Sequence, residues 1–198
     1  MRVVVWLVAM VALLSLPAAG AEPIGIITEL HLSPLLLGIV VSAGGVGSLI
    51  GSLFASRVIG RFGLGPALIW TATGAAVIGV LTPLAGGPLV LATTMVFLPQ
   101  LIGDGLQTIE GVAELSLIQG VIPDRILGRV NANLEVFSHG IAYPLGALGA
   151  AVVAGWIGVR GGIAIGWAGM AISILLLVFS PLPAIRRAAD VLAAEAES

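Results

Sequence analysis

The sequence has no cysteine, no lysine, one tyrosine, two histidines and few charges of either sign. Each shortage removes a class of function. Without cysteine there is no disulfide and no thiolate metal site, and His31 and His139 are too far apart to build a zinc site alone, so no metal or cofactor is expected. The basic residues are all arginines, and the adjacent pair Arg186 and Arg187 is too short a tract to hold nucleic acid. Charged residues make up 9% of the chain, against about a quarter in soluble domains, which excludes a water-soluble fold. No phosphate-cradling glycine loop, Ser/His/Asp set or nucleophile elbow is visible, so neither an ATP-driven pump nor a hydrolase is supported. An enzyme is not expected.

What fills the chain instead is apolar: 59% of residues are hydrophobic and the mean hydropathy is +1.17. A helix crosses the roughly 30 Å hydrocarbon layer in about 20 apolar residues. Six runs of that kind are closed by charge or by glycine and proline, at residues 3–28, 34–56, 64–84, 88–117, 131–157 and 162–182, followed by a tail at 183–198. The expectation is an all-α polytopic membrane protein, one transmembrane domain over residues 1–198, with the lipid bilayer as its surroundings. Connections such as "ELHLS" and "RVIGRFG" are short, so neighbouring spans run antiparallel.

Six spans place both termini on one side. Arg2, Arg57, Arg61, Arg125, Arg129, Arg186 and Arg187 then share that side, and Arg160 alone lies on the other. This positive-inside pattern predicts cytoplasmic termini in a cell (inner) membrane. Trp6, Trp70, Trp156 and Trp167 all fall toward span ends, as interfacial belts favour. A second reading applies to the N-terminus: "MRVVVWLVAMVALLSLPAAGAEP" has the charged start, apolar core and small-residue site of a secretory signal, whose removal would leave five spans.

The chain carries an internal likeness. "GSLIGSLFASRVIGRFG" (47–63) laid over "GALGAAVVAGWIGVRGG" (146–162) pairs Gly47 with Gly146, Ala55 with Ala154, Arg61 with Arg160 and Gly63 with Gly162. The two segments belong to spans two and five, which run in opposite directions, as inverted three-plus-three repeats of transporters do. Convergence on small residues for close helix packing explains the same likeness. Gly47 and Gly51 form one small-residue face, and Gly146 and Gly149 are the corresponding packing glycines of span five.

Four stretches carry a family resemblance: "ELHLSPLLLGIVVSAGGVGSLIGSLFASRVIGRFG", "SLIQGVIPDRILGRVNA", "PLGALGAAVVAGWIGVRGG" and "SPL". In this order and spacing the chain resembles the C-terminal six-helix half of a major facilitator superfamily transporter, of the enterobactin-exporter and macrolide-efflux type. The resemblance implies that its six spans correspond to the seventh to twelfth of a twelve-span exporter. It implies secondary active, proton-coupled efflux of a small amphipathic molecule or drug. It also implies a second six-helix half, because such a transporter binds its substrate between two bundles. That half would be another copy of this chain or a separate N-terminal half. The sequence departs from the family pattern at Ser56, where an Asp often precedes the first arginine of the cytoplasmic signature, and at Tyr143, where the fuller exporter motif has glycine. A reading from another class is a non-transporting membrane scaffold or regulator, or an inactive truncated remnant.

Acids inside a span are costly and mark functional candidates. Asp104 in span four lies near the midplane, as a proton or substrate-cation site or as an acid bonded to backbone freed by Pro99. Glu110 and Glu114 are one turn apart on a face roughly 80–120° from Asp104. They suit ion pairs with Arg125 or Arg129, which would make the "PDRILGR" loop a cytoplasmic latch. Arg57 and Arg61 belong to that latch through the family signature, and Asp124 joins it as a turn or N-cap residue. In span five Glu135 and His139 share a face and form either a proton relay or a packing pair. Glu22, ahead of Pro23, lines the pathway or sits in an outer loop.

Overall fold

The computed structural model describes Leu30 and residues 32–180. The expected first span at 3–28, Glu22 and the tail at 183–198 lie outside the described residues. Within them the secondary structure is helical without strands, and five helices are long and apolar enough to cross a membrane. They are α1 (Pro34–Phe62), α2 (Leu64–Leu84), α3 (Leu89–Val121), α4 (Asp124–Ile157) and α5 (Val159–Val178).

Local chemistry sets most of the boundaries. Ser33 caps α1 by accepting a hydrogen bond from the Leu36 backbone N–H at 3.4 Å, with Pro34 supplying a fixed φ at the first position. Gly63 stops α1 with φ +91°, a conformation that disfavours side chains with a Cβ, and α2 begins at the next residue. Gly158 does the same between α4 and α5 with φ +83°. Between α3 and α4, Ile122 is extended (φ −95°, ψ 127°), as the residue before a proline prefers.

Two helices contain a widened π-helical turn, Pro99–Gly103 in α3 and Val136–Ala142 in α4. Proline explains both positions. Pro99 has no N–H to donate, and its ring, like that of Pro144 just beyond the second segment, crowds the carbonyl four residues back.

The described helices pack around two apolar clusters. One joins Leu64, Leu68 and Ala72 of α2, Ala113, Leu117 and Ile118 of α3, and Met170, Ile174 and Leu177 of α5, with Ile59, Ile126, Leu127 and Val130 against it. The other joins Val40, Ala85, Val96 and Ile163, with Leu30 and Leu32 against it. The α1–α2 and α3–α4 turns therefore share one end of the bundle, with the beginnings of α1, α3 and α5 at the other. This is the antiparallel order expected from the short connections. Arg57, Arg61, Arg125 and Arg129 lie toward the first end. Arg160 lies at the second, where its Nη1 donates to the Pro83 carbonyl at 3.5 Å.

α1 meets α3 through glycine. A methyl group on Gly47 would fall on the Leu101 backbone carbonyl and one on Gly51 on the Gly105 carbonyl; reciprocally, one on Gly105 would stand 2.9 Å from the Gly47 carbonyl oxygen. Backbone meets backbone here, as the small-residue face of α1 predicts.

Several expected boundaries change. The "PDRILGR" segment is not a loop but the opening turns of α4, because after Pro123 nothing interrupts the backbone hydrogen bonding. Asp124 is the first helical residue and Pro123 the cap; an acid there complements the positive end of the helix dipole. Arg160 sits in the first turn of α5 rather than in a loop. Trp167 is not at a span end: it lies within α5, half-buried, with its ring filling the space left by Gly79 of α2. Gly149 is exposed and a methyl there would meet nothing within 4 Å among the described residues, and no residue of Tyr143–Ile157 is buried, so its expected packing role is not seen; Gly146 is half-buried.

The register of the internal likeness also changes. The equivalent turns are Gly63 and Gly158, both at positive φ between abutting helices. Pairing them sets Gly51 opposite Gly146 and Gly60 opposite Gly155, one helical turn from the alignment by identity. Arg61 and Arg160 are therefore not equivalent, since one ends a helix and the other begins one.

Candidate functional site

α3 and α4 each carry two ionisable residues one turn apart, and packing brings the pairs together. Glu110 and Glu114 face α4 from α3, while Asn131, Glu135, Ser138 and His139 face α3 from α4; together they border a cleft of about 350 Å³. Gly111, Leu115, Ile118 and Leu134 complete its walls. Measured along the helices at 1.5 Å per residue from the Arg160 end, Glu110 lies about 32 Å in, Glu135 about 33 Å and His139 about 27 Å. The cleft thus sits where a roughly 30 Å hydrocarbon layer counted from that end would stop.

The two walls differ. On α4, His139 Nδ1 lies 3.2 Å from Glu135 Oε1, and both side chains are about 70% exposed. Ser138 Oγ donates to the Leu134 carbonyl at 2.7 Å and lies 3.4 Å from His139 Nδ1, while Tyr143 stacks near the imidazole with ring centroids 6.4 Å apart. The imidazole is therefore held from two sides. On α3, Glu110 is buried at 8% exposure and Glu114 is half-buried, and neither makes a hydrogen bond or ion pair with the described residues. An unpaired carboxylate away from water is strongly disfavoured, so these two acids are placed to hold a proton or to face a positive charge, which the His139 imidazole offers Glu114 across the cleft.

The other expected residues lie elsewhere. Asp104 is half-buried on the side of α3 that faces α1, where its carboxylate occupies the space left by Gly44, beside Gln100. The angle of roughly 80–120° between Asp104 and the two glutamates fits this split. Arg125 and Arg129 are exposed, and among the described residues no ion pair joins them to Glu110 or Glu114. Arg57 and Arg61 are exposed as well; Arg57 donates to the Leu53 carbonyl at 3.3 Å and lies 5.9 Å from the Phe54 ring centroid. The latch residues are thus not brought together in this conformation. Among the described residues no group of three or more His, Cys, Asp or Glu could hold a metal ion.

Sequence reasoning placed Glu110 and Glu114 in one group and Glu135 and His139 in another, and missed that they share a cleft. It also missed Asn131, whereas Ser138 was expected as a partner of the Glu135–His139 pair and does lie 3.4 Å from His139 Nδ1. The available signal was the spacing of Asn131, four residues from Glu135 and eight from His139 along α4. A second hollow of about 570 Å³ between α1 and α3, bordered by Pro34, Ile39, Val46 and Phe97, has no ionisable group in its lining and offers no comparable chemistry.

Comparison with protein-family models, with curated proteins and with solved structures finds no match for this chain.

Proposed function

We propose that the chain is one six-span half of a secondary active transporter, working in a cell membrane with a second half to export a small amphipathic molecule in exchange for protons. A single observation carries this reading: four ionisable side chains from two membrane-length helices border one cleft. Acids gathered where the hydrocarbon layer stops are costly to keep unless they bind or relay charge. In this scheme Glu135 and His139 exchange protons at the exposed wall, and Glu110 and Glu114 hold the charge that the opposite wall releases. The grouping of Arg57, Arg61, Arg125 and Arg129 at one end supports a cytoplasmic position for that end. The major facilitator resemblance supports a pathway completed by another copy or by a separate N-terminal half.

The packing of Asp104 against Gly44 favours a second reading, a membrane scaffold whose acids are satisfied inside the bundle. Dye flux separates the two. Everted vesicles from cells expressing the full chain, energised by a pH gradient, should accumulate a fluorescent amphipathic dye and lose that accumulation with Glu135→Gln or His139→Ala. Correctly inserted protein with no gradient-dependent accumulation would leave the scaffold reading.

A further inference from the structure

We infer that the last turns of α1 bind an anionic glycerophospholipid, its phosphate against Arg57 and Arg61 and an acyl chain along Leu53 and Leu49. This requires only that α1 cross a bilayer, and its 29 residues are long and apolar enough to do so.

The two arginines are positive charges without a counterpart. α1 contains no acidic residue, both side chains are exposed one turn apart, and among the described residues no ion pair engages either of them. Arg57 uses one N–H on the Leu53 carbonyl at 3.3 Å, which leaves its other donors for a ligand. A phosphodiester fits such a pair, since its oxygens accept the forked N–H groups of guanidinium.

Depth and direction favour a lipid headgroup. At 1.5 Å per residue from Pro34, Arg57 lies about 35 Å along α1 and Arg61 about 40 Å. The hydrocarbon layer ends near 30 Å, and the headgroups fill roughly the next 5–7 Å. Helical side chains lean toward the N-terminus, which on α1 points back into the bilayer. Arg57 follows this lean: the bond to Leu53 and its place 5.9 Å from the Phe54 ring centroid bring its charge toward the phosphate level. Arg125 and Arg129 lie at the beginning of α4 at the same end, so the same lean takes them away from the bilayer. The α1 pair is therefore the one that a phosphate meets.

Below the charges lies a track for a chain. The four-residue row through Arg61 and Arg57 continues through Leu53 and Leu49, which are 68% and 67% exposed. A Cβ at Gly60, between the two arginines, would meet nothing within 4 Å, so a headgroup has room beside them. A free phosphate would use the arginines alone, whereas a whole lipid uses the row.

The test exploits the absence of cysteine. The full chain with Leu49→Cys, labelled with bimane and reconstituted in phosphatidylcholine, is titrated with phosphatidylglycerol or phosphatidylcholine whose brominated chains quench the label on contact. Phosphatidylglycerol should associate about 25-fold more strongly, from about fivefold per arginine near the surface. Arg57→Gln should leave about fivefold, and Arg57→Gln combined with Arg61→Gln no preference, while Arg125 and Arg129 still hold the orientation. A label at Val77→Cys, exposed on α2, a helix without arginine, should be quenched equally by both lipids. Both arginines are exposed, so the variants should fold, as gel filtration will show; if the double variant aggregates, Arg57→Gln decides. Equal quenching by the two lipids at Leu49→Cys, or a preference that survives these substitutions, would overturn the inference. Quenching by neither lipid would mean that protein covers this face, which overturns it as well.

Discussion

Replacing Gly47 with alanine tests the contact that fixes α3, and with it the cleft. The new methyl would fall on the Leu101 backbone carbonyl and stand 3.2 Å from that of Gln100. Backbone cannot rotate away as a side chain can, so α1 and α3 must separate. Gly45, two residues earlier on the same helix, provides the reference, since a methyl there meets nothing within 4 Å. Both substitutions gain the same helix propensity, about 1 kcal/mol, and the difference between them isolates the close approach. Overpacking of this kind costs about 1–3 kcal/mol. At about 2–4 °C per kcal/mol for a chain of this size, Gly47→Ala should melt roughly 2–12 °C below Gly45→Ala. Fluorescence-detected gel filtration of heated, detergent-solubilised protein measures this directly. Equal melting temperatures, or a lower one for Gly45→Ala, would refute the backbone contact.

Two further outcomes are expected. Because the chain has no cysteine, single substitutions report cleanly: Asn131→Cys and Gly111→Cys in the cleft should react with a charged, membrane-impermeant maleimide applied from the Arg125 side, whereas Val77→Cys, exposed midway along α2, should stay unlabelled in lipid. Equal labelling at all three would mean that the cleft is no wetter than the lipid face. Reporter fusions after Pro123 should be cytoplasmic in the parent chain and of mixed orientation once Arg57, Arg61, Arg125 and Arg129 are all glutamine, since these arginines supply the positive-inside bias at that end. A unanimous external signal from the parent chain would reverse the assignment.

Much of the helical order was legible because hydrocarbon length and local chemistry write it into the sequence. α1 begins at the expected Pro34 and α2 runs over the expected 64–84, but α1 continues past its expected end at 56 to Phe62, so that most of "RVIGRFG" is helix and only Gly63 breaks it. α4 begins at Asp124 rather than at residue 131, because "DRILGRVNANLE" is too polar to register as an apolar run yet has nothing to stop a helix. Apolar length measures the hydrocarbon layer, and helices outlast it. The pairs Glu110–Glu114 and Glu135–His139 were legible from four-residue spacing alone. Their meeting across two helices was not, since it depends on rotation about each axis, which the widened turn that contains His139 alters. The alignment of the two halves slipped by one turn because segments rich in glycine and alanine match in several registers. The turn glycines at 63 and 158 settle it through backbone conformation, which identity scoring cannot see.

The joints between the helices have a practical consequence. From Pro34 to Val178 the backbone leaves helix only at Gly63, at a bend at Val80, over residues 85–88, at Ile122–Pro123 and at Gly158. Proteases and inserted epitopes both need several consecutive residues of accessible, unpaired chain. Of these joints only 85–88 approaches that length, so digestion of the folded protein should spare the other four, and a tag placed at any of those four would have to break a helix to fit.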